Sequence, residues 1–455
     1  LVPQLIGEKD NSMKIAVKNS FVLVALSACA CIGLAPSAKA DGAVYAMTNA
    51  LGNNQIVVYH RAGNGTLSLV QTIATTGGGS GTQLDATDSL GSQGSLALDS
   101  THRHLFAVNT ETKVTLSTST PTGDCQQGSI SSFLVASDGT LTFVQKTPSG
   151  GLFPNSLTVN PFNNLLYVLN AGGPGINPVC GLSPNITGFT LSANGRMTAL
   201  AGSTRAINPG TSPGSGENCN PGGFPAIGFL CGQNPPAFPR SPAQVGFDRF
   251  GIALVVTVKG TNSIYVFPVG LDGKPGSATV TQAPGPTIPT YFGFAFDFLD
   301  RLIVDEPFGA STTIPAQPAS AISSFAIGLN GGLHPITSNL ANAEGLSCWI
   351  ALVGQYAYIS DNGAGGTGGI GNVSTYKIGF DGSLTLLSAN AAEVNRPNDL
   401  AVGSEFFGFI NYLYVLESGT GNVGVFQINF DGLLTSIETV SGLPAAAGAQ
   451  GLAAY

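Results

Sequence analysis

Acidic residues are scarce in this 455-residue chain and basic ones scarcer, 25 Asp and Glu against 17 Lys and Arg. Where the acids fall therefore matters. Glu306, Asp361 and Glu417 recur at one place in an internal repeat, the end of a strand. Asn49, Asn109 and Asn170 hold that place in other copies, and Val258 is the one apolar member. A second recurring place, the start of another strand, carries Ser95, Asn155, Gln244, Gly293, Cys348, Asn398 with Asp399, and Gln450. Arg240 and Arg396 stand just before two of those positions. Carboxylates so placed could serve as general acid or base, and an arginine could hold a substrate carboxylate or a developing oxyanion. Glu306 and Glu417 are the expected catalytic carboxylates, with Arg240 and Arg396 beside them. Asn155, Gln244, Asp361, Asn398, Asp399 and Gln450 are the expected substrate contacts. Asn, Asp and Glu at strand ends can equally satisfy turn backbone groups. Glu306 and Glu417 are not turn formers.

The elements that must position these residues come from one phrase used seven times. A β-branched residue is followed after two residues by an aromatic, and after four more by Asn-Gly or Asp-Gly. The copies are Ile56–Tyr59–Asn64-Gly65, Ile130–Phe133–Asp138-Gly139, Ile186–Phe189–Asn194-Gly195, Ile264–Phe267–Asp272-Gly273, Ile322–Phe325–Asn330-Gly331, Val373–Tyr376–Asp381-Gly382 and Val423–Phe426–Asp431-Gly432. Such a run before such a turn reads as a β-hairpin, with a tight type I′ turn expected. Two further strands fit between successive hairpins, most clearly 155–159 and 165–170. Four short antiparallel strands per repeat of about fifty residues is the pattern of a β-propeller blade.

The expected fold is an all-β, seven-bladed propeller. The blades are 43–72 with 448–455, 93–145, 154–200, 241–281, 291–336, 346–388 and 396–439. Strands are named A to D from the centre outward. The first blade takes its A strand from the C-terminus, which closes the ring and removes exposed sheet edges. C–D and A–B turns then lie on one face, the bottom. B–C and D–A loops lie on the other, the top, with the long insertions 73–92, 110–128, 171–184, 201–240 and 306–320. The candidate site is the top mouth of the central channel. His60, His102, His104 and His334 all fall near bottom turns.

Met13 opens a secretory pattern: Lys14 and Lys18, an apolar run over 21–35, then Ala38-Lys39-Ala40. It reads as a signal peptide cleaved before Asp41, so that 1–40 is upstream segment and signal and 41–455 is one domain. Leu26-Ser27-Ala28-Cys29 also fits a lipobox, which would leave the chain anchored through Cys29. Either route implies a periplasmic or extracellular protein, with no transmembrane span after signal removal. In that compartment Cys125 with Cys180, and Cys219 with Cys231, are the expected disulfides, and Cys348 a buried free thiol. The net charge of −8 excludes a nucleic-acid groove. No zinc spacing, P-loop, HExxH or nucleophile elbow is present. No cofactor is expected; converging Asn, Asp and Glu could take Ca²⁺, but no EF-hand or nonapeptide pattern occurs. A monomer is expected.

The chain resembles the lactonase-type seven-bladed propeller family, which includes 6-phosphogluconolactonase and 3-carboxy-cis,cis-muconate lactonizing relatives, and within it the exported bacterial branch. The carriers are Ser241-Pro242-Ala243-Gln244-Val245-Gly246-Phe247 with Val256-Thr257-Val258-Lys259-Gly260-Thr261-Asn262-Ser263-Ile264, Phe292-Gly293-Phe294-Ala295-Phe296-Asp297, Ser347-Cys348-Trp349 with Tyr358-Ile359-Ser360-Asp361-Asn362, and Gly451-Leu452-Ala453-Ala454-Tyr455. The resemblance implies opening or closing of a lactone ring without a cofactor, with Arg, Glu and sometimes His around the channel. This top face lacks a His and has few basic groups, which points away from a phosphorylated substrate. Two functions follow. One is lactone chemistry on a small carboxylate or sugar-derived substrate at the top mouth. The other is a non-catalytic propeller whose top loops bind a protein or polymer partner of the envelope.

Overall fold

The computed structural model describes residues 42–82, 88–111, 127–172, 183–208, 241–282, 291–307, 320–362, 370–405 and 408–455. They form seven antiparallel sheets in chain order, each built outward from a central A strand. The first sheet is composite. Its A strand is Leu452–Ala454, paired with the B strand Gly42–Met47, so the two ends of the chain complete one blade. The expected propeller and its closure are both present.

The repeated phrase does the work of packing. Its β-branched members, from Ile56 to Val423, are fully buried, and all seven aromatics, from Tyr59 to Phe426, are buried as well. The turn differs from the expected type I′. The N–H of Gly65 donates to Ala62 O and the N–H of Ala62 to Thr66 O, and Gly139 and Gly195 repeat this with Ala136 and Ser192. Only the glycine takes positive φ, from 76° at Gly195 to 88° at Gly382. This is a three-residue loop, a type I turn followed by a left-handed glycine. The Asn or Asp does not need positive φ. Its side chain instead accepts the N–H two residues on, as Asp138 does from Thr140 and Asp381 from Ser383.

The same glycine also joins blades. Tyr45 on strand B of blade 1 donates its hydroxyl to Gly139 O in blade 2, at 2.8 Å. Tyr167 reaches Gly273 O, Tyr358 reaches Gly432 O, and Tyr414 of blade 7 reaches Gly65 O of blade 1. Burial pushes the Tyr167 phenol up to about 12, which keeps it a donor.

Cys348 is buried without a disulfide. The expected pairs Cys125–Cys180 and Cys219–Cys231 lie outside the described residues, as do the signal segment, Cys29 and Arg240. No helix among the described residues is long and apolar enough to cross a membrane.

A buried ion pair reinforces closure. Arg61 on strand C of blade 1 meets Glu405 of blade 7 at 2.6 Å, with side chains 2% and 4% exposed. Its Nε also donates to Tyr455 O and its Nη2 to Ser404 O. Arg61→Ala is expected to cost about 3–5 kcal/mol by stranding the Glu405 carboxylate. The double change Arg61→Met, Glu405→Leu should recover most of that loss, and urea midpoints compare the three proteins.

Candidate functional site

The top end of the channel is filled by the chain itself. Residues 88–95, which lead into strand A of blade 2 (Leu96–Leu98), cross the channel and are almost entirely buried. Blade 1 holds them through Gln450, whose Oε1 accepts from Leu90 N while its Nε2 donates to Asp88 Oδ1 and Ser92 O. On the blade 3 side, Ser92 Oγ donates to Asn155 O and Leu157 N to Gly94 O. In blade 4, Ala243 O accepts from Gln93 N, and Lys259 Nζ donates to Gly91 O. Blade 6 supplies Trp349, whose Nε1 donates to Ser92 O, and Ile350, whose N–H and C=O both bond the Gln93 amide. Contacts to blades 1, 3, 4 and 6 place this segment across the ring axis.

Several expected substrate contacts are spent on neighbouring backbone. Asn155 Nδ2 donates to Pro242 O at 2.9 Å, joining blade 3 to blade 4. Gln244 donates to Phe294 O and accepts from Phe294 N, joining blade 4 to blade 5. Asn398 Nδ2 donates to Ala449 O, joining blade 7 to blade 1. Asp361 accepts from Ser347 and Ser374 of blade 6 and from Asn342, in the connection that leads in from blade 5. Asn109 takes the matching place in blade 2, donating to Ser129 and Ser131. Asp399 is buried, donates its own N–H to Asn398 Oδ1, and leaves its Oδ2 without a hydrogen-bond partner.

Of the expected catalytic residues, Glu306 ends strand B of blade 5 and is buried, with Asn339 Nδ2 donating to its Oε2 at 2.6 Å. Burial pushes its carboxyl up to about 7. Its charge in turn helps hold Tyr291 protonated. Glu417 accepts from Thr420 Oγ1 at 2.9 Å, and burial raises it too. Arg396 shares the top of blade 7 with Glu417. Its carbonyl accepts from the N–H and hydroxyl of Ser418, and the next residue, Pro397, is the register partner of Glu417. Glu306 and Glu417 each bond within their own blade.

Sequence reasoning missed Lys259. It directly follows Val258, the apolar gap in the acidic series, in a short 3-10 turn, Lys259–Thr261. Reading one residue further would have found it. The ammonium is buried, lies 4.6 Å from the Phe292 ring centroid, and is pushed below the usual lysine range by desolvation, with Asp88 opposing. It leaves a cation among acids. Asp305, Asp361 and Asp399 are all raised by burial, the last two to about 7. No group of three His, Cys, Asp or Glu suited to a metal occurs among the described residues.

Gly293 marks how tight the channel wall is. Gln93 Oε1, Asp305 Oδ2 and Cys348 O all lie within 2.8 Å of where a Cβ on Gly293 would stand. Asp305 Oδ1 accepts from Gly293 N, while Oδ2 has no hydrogen-bond partner. A proton on Asp305 relieves this crowding of acceptors. Because the folded state raises these aspartates, their stabilising protonation is full below the ordinary carboxylate range and is lost as pH rises toward each folded pKa, about 7 for Asp361 and Asp399. Asp305→Asn keeps the acceptor for Gly293 N and replaces Oδ2 by a donor. It is expected to raise the thermal midpoint at pH 8 and leave it near wild type at pH 5. Equal shifts at both pH values would refute the protonation argument.

The comparisons with known proteins agree with this fold. A family model described as lactonase, 7-bladed beta-propeller, matches residues 39–173. No curated protein sequence matches the chain. A putative 6-phosphogluconolactonase from Bacteroides fragilis is 16% identical, with TM-score 0.57 over 91% of this chain and 97% of its own. The periplasmic gluconolactonase of Pseudomonas aeruginosa is 14% identical, with TM-score 0.59 over 90% and 99%. A protein from Lactobacillus plantarum is 14% identical, with TM-score 0.60 over 91% and 98%. The chain is thus similar in fold, across the whole propeller, to seven-bladed lactonase-like proteins, and similar in sequence to the lactonase family over its first blades.

Proposed function

We propose that this is an exported lactonase-type propeller that opens or closes the ring of a small carboxylate or sugar-derived lactone at its top face. One observation carries the reading: Glu306 is a buried carboxyl at the top of blade 5, fixed by Asn339 and raised to about 7. A general base works best when its pKa lies near the working pH. In hydrolysis, water adds to the lactone carbonyl as Glu306 takes its proton. The carbon–oxygen bond of the ring then breaks, and the proton passes to the departing alkoxide. Glu417 and Arg396 stand at the same end of blade 7 and would orient a substrate carboxylate, and Arg240 is the other expected cation. The secretory pattern supports work outside the cytoplasm, as does the fold likeness to a periplasmic gluconolactonase.

A second reading has its own support. Residues 88–95 occupy the channel end, which favours a propeller that presents its top loops to an envelope partner.

Turnover of a panel of sugar, aromatic-derived and acyl lactones separates the two. For the enzyme, kcat/KM rises with pH through about 7 as Glu306 loses its proton. Glu306→Gln then lowers kcat about 100-fold or more and removes that pH dependence. Glu417→Gln acts mainly on KM. Absence of turnover across the panel, or a Glu306→Gln enzyme with the wild-type profile, sinks the catalytic reading.

A further inference from the structure

All six exposed phenylalanines among the described residues sit in bottom turns. Phe162, Phe250, Phe298 and Phe409 occupy A–B turns of blades 3, 4, 5 and 7. An outer arc adds to them. The residue before Asn-Gly or Asp-Gly is Leu271, Leu329, Phe380 and Phe430 in blades 4 to 7, but Gly63, Ser137 and Ala193 in blades 1 to 3. Leu271 and Leu329 are each 112% exposed, as open as in an extended peptide. The Phe298 and Phe380 rings lie 6.5 Å apart, so the arc is continuous across the boundary of blades 5 and 6. On the top face only Leu51 and Ile370 are large, apolar and exposed among the described residues.

Together these side chains offer on the order of 1,000 Å² of apolar surface, spread over the bottom turns of blades 3 to 7. Their placement favours a flat partner. Equivalent turns of a propeller are related by rotation about its axis, so the four C–D tips stand at one height. The neighbouring carboxylates are folded into their turns. Asp381 and Asp431 accept from Ser383 N and Leu433 N, and Asp272 accepts from Lys274 N. The apolar residue is left as the tip. Asp272 and Asp381 are held low by these hydrogen bonds and stay ionised, so an anionic surface is disfavoured. Strand B of blade 1 starts at this same face, so a chain anchored through Cys29, as the lipobox Leu26-Ser27-Ala28-Cys29 would leave it, enters the propeller there.

We propose that the bottom face docks on a lipid surface without net negative charge, its Phe and Leu turn tips entering the interfacial layer of the bilayer. The full chain tests this with two single-tryptophan additions, Phe430→Trp at a bottom tip and Ile370→Trp on the top. Trp349 is buried in the channel and serves as a constant background. Phosphatidylcholine vesicles with brominated acyl chains are expected to quench the added Phe430→Trp signal at least about twofold and to spare the Ile370→Trp signal. Replacing about a third of the lipid with phosphatidylserine should weaken the quenching. Changing Leu271, Leu329, Phe380 and Phe430 together to Ser should lower vesicle binding about tenfold or more. Equal quenching at both positions overturns the proposal, since a tether alone would give it. So does a lipid-free doubling of mass that the four-Ser protein abolishes, which would assign the face to a second copy of the chain.

Discussion

A tyrosine hydroxyl donating to the carbonyl of a turn glycine is the contact on which the ring's geometry rests. It links blades 1 to 2, 3 to 4 and 6 to 7, and it links blade 7 back to blade 1. The acceptor must be in the turn, at one height, with its carbonyl turned toward the next blade. A glycine in the left-handed region meets that demand without a Cβ penalty. The space confirms it: a Cβ at Gly65 would stand 2.4 Å from the Tyr412 ring. The constancy of the Asn/Asp-Gly spacing thus reflects contact between blades as well as the turn within one.

With the ring fixed this way, the two ends of the channel and the two faces take different work. The top end consumes its polar side chains in stitching. Gln93, Asn155, Gln244, Asn398 and Gln450 all bond backbone of other segments. What remains chemically distinct there is the buried ionisable set of Lys259, Glu306 and the aspartates. The bottom face has the reverse character. Its turns are short and regular, and their exposed Phe and Leu tips are side chains the fold does not need.

The architecture was legible because the repeat kept phase. Strand order, ring closure and the sorting of loops by face all followed from the hairpin spacing, as did burial of Cys348. The turn type was not legible, since Asn-Gly and Asp-Gly serve both a type I′ turn and a type I turn with a left-handed glycine. Only the bonds of Gly65 to Ala62 and Ala62 to Thr66 decide it. Asn155 and Gln244 could be placed at the channel wall from sequence, but not what they bond. Their partners lie in the next blade, and that distance is set by the radius of the ring. Residues 88–92 read as part of the long top loop 73–92, because nothing local in Asp88-Ser89-Leu90-Gly91-Ser92 signals burial. Their burial is imposed by five or more groups from four blades.

Ring closure has a consequence for how the protein reaches its native state. Arg61 and Tyr455 bond across 394 residues, and Asn49 and Gly448 across 399. Contacts so far apart in sequence can form only after the intervening loops are drawn together, which makes such folds slow. Blades 2 to 7 are each local and can form early, but the first sheet is a pair of strangers until the last strand arrives. Until then the inner edge of its B strand is an open template. A chain of this design is safest when that interval is short or sheltered, so the rate of one strand's arrival governs its exposure to aggregation.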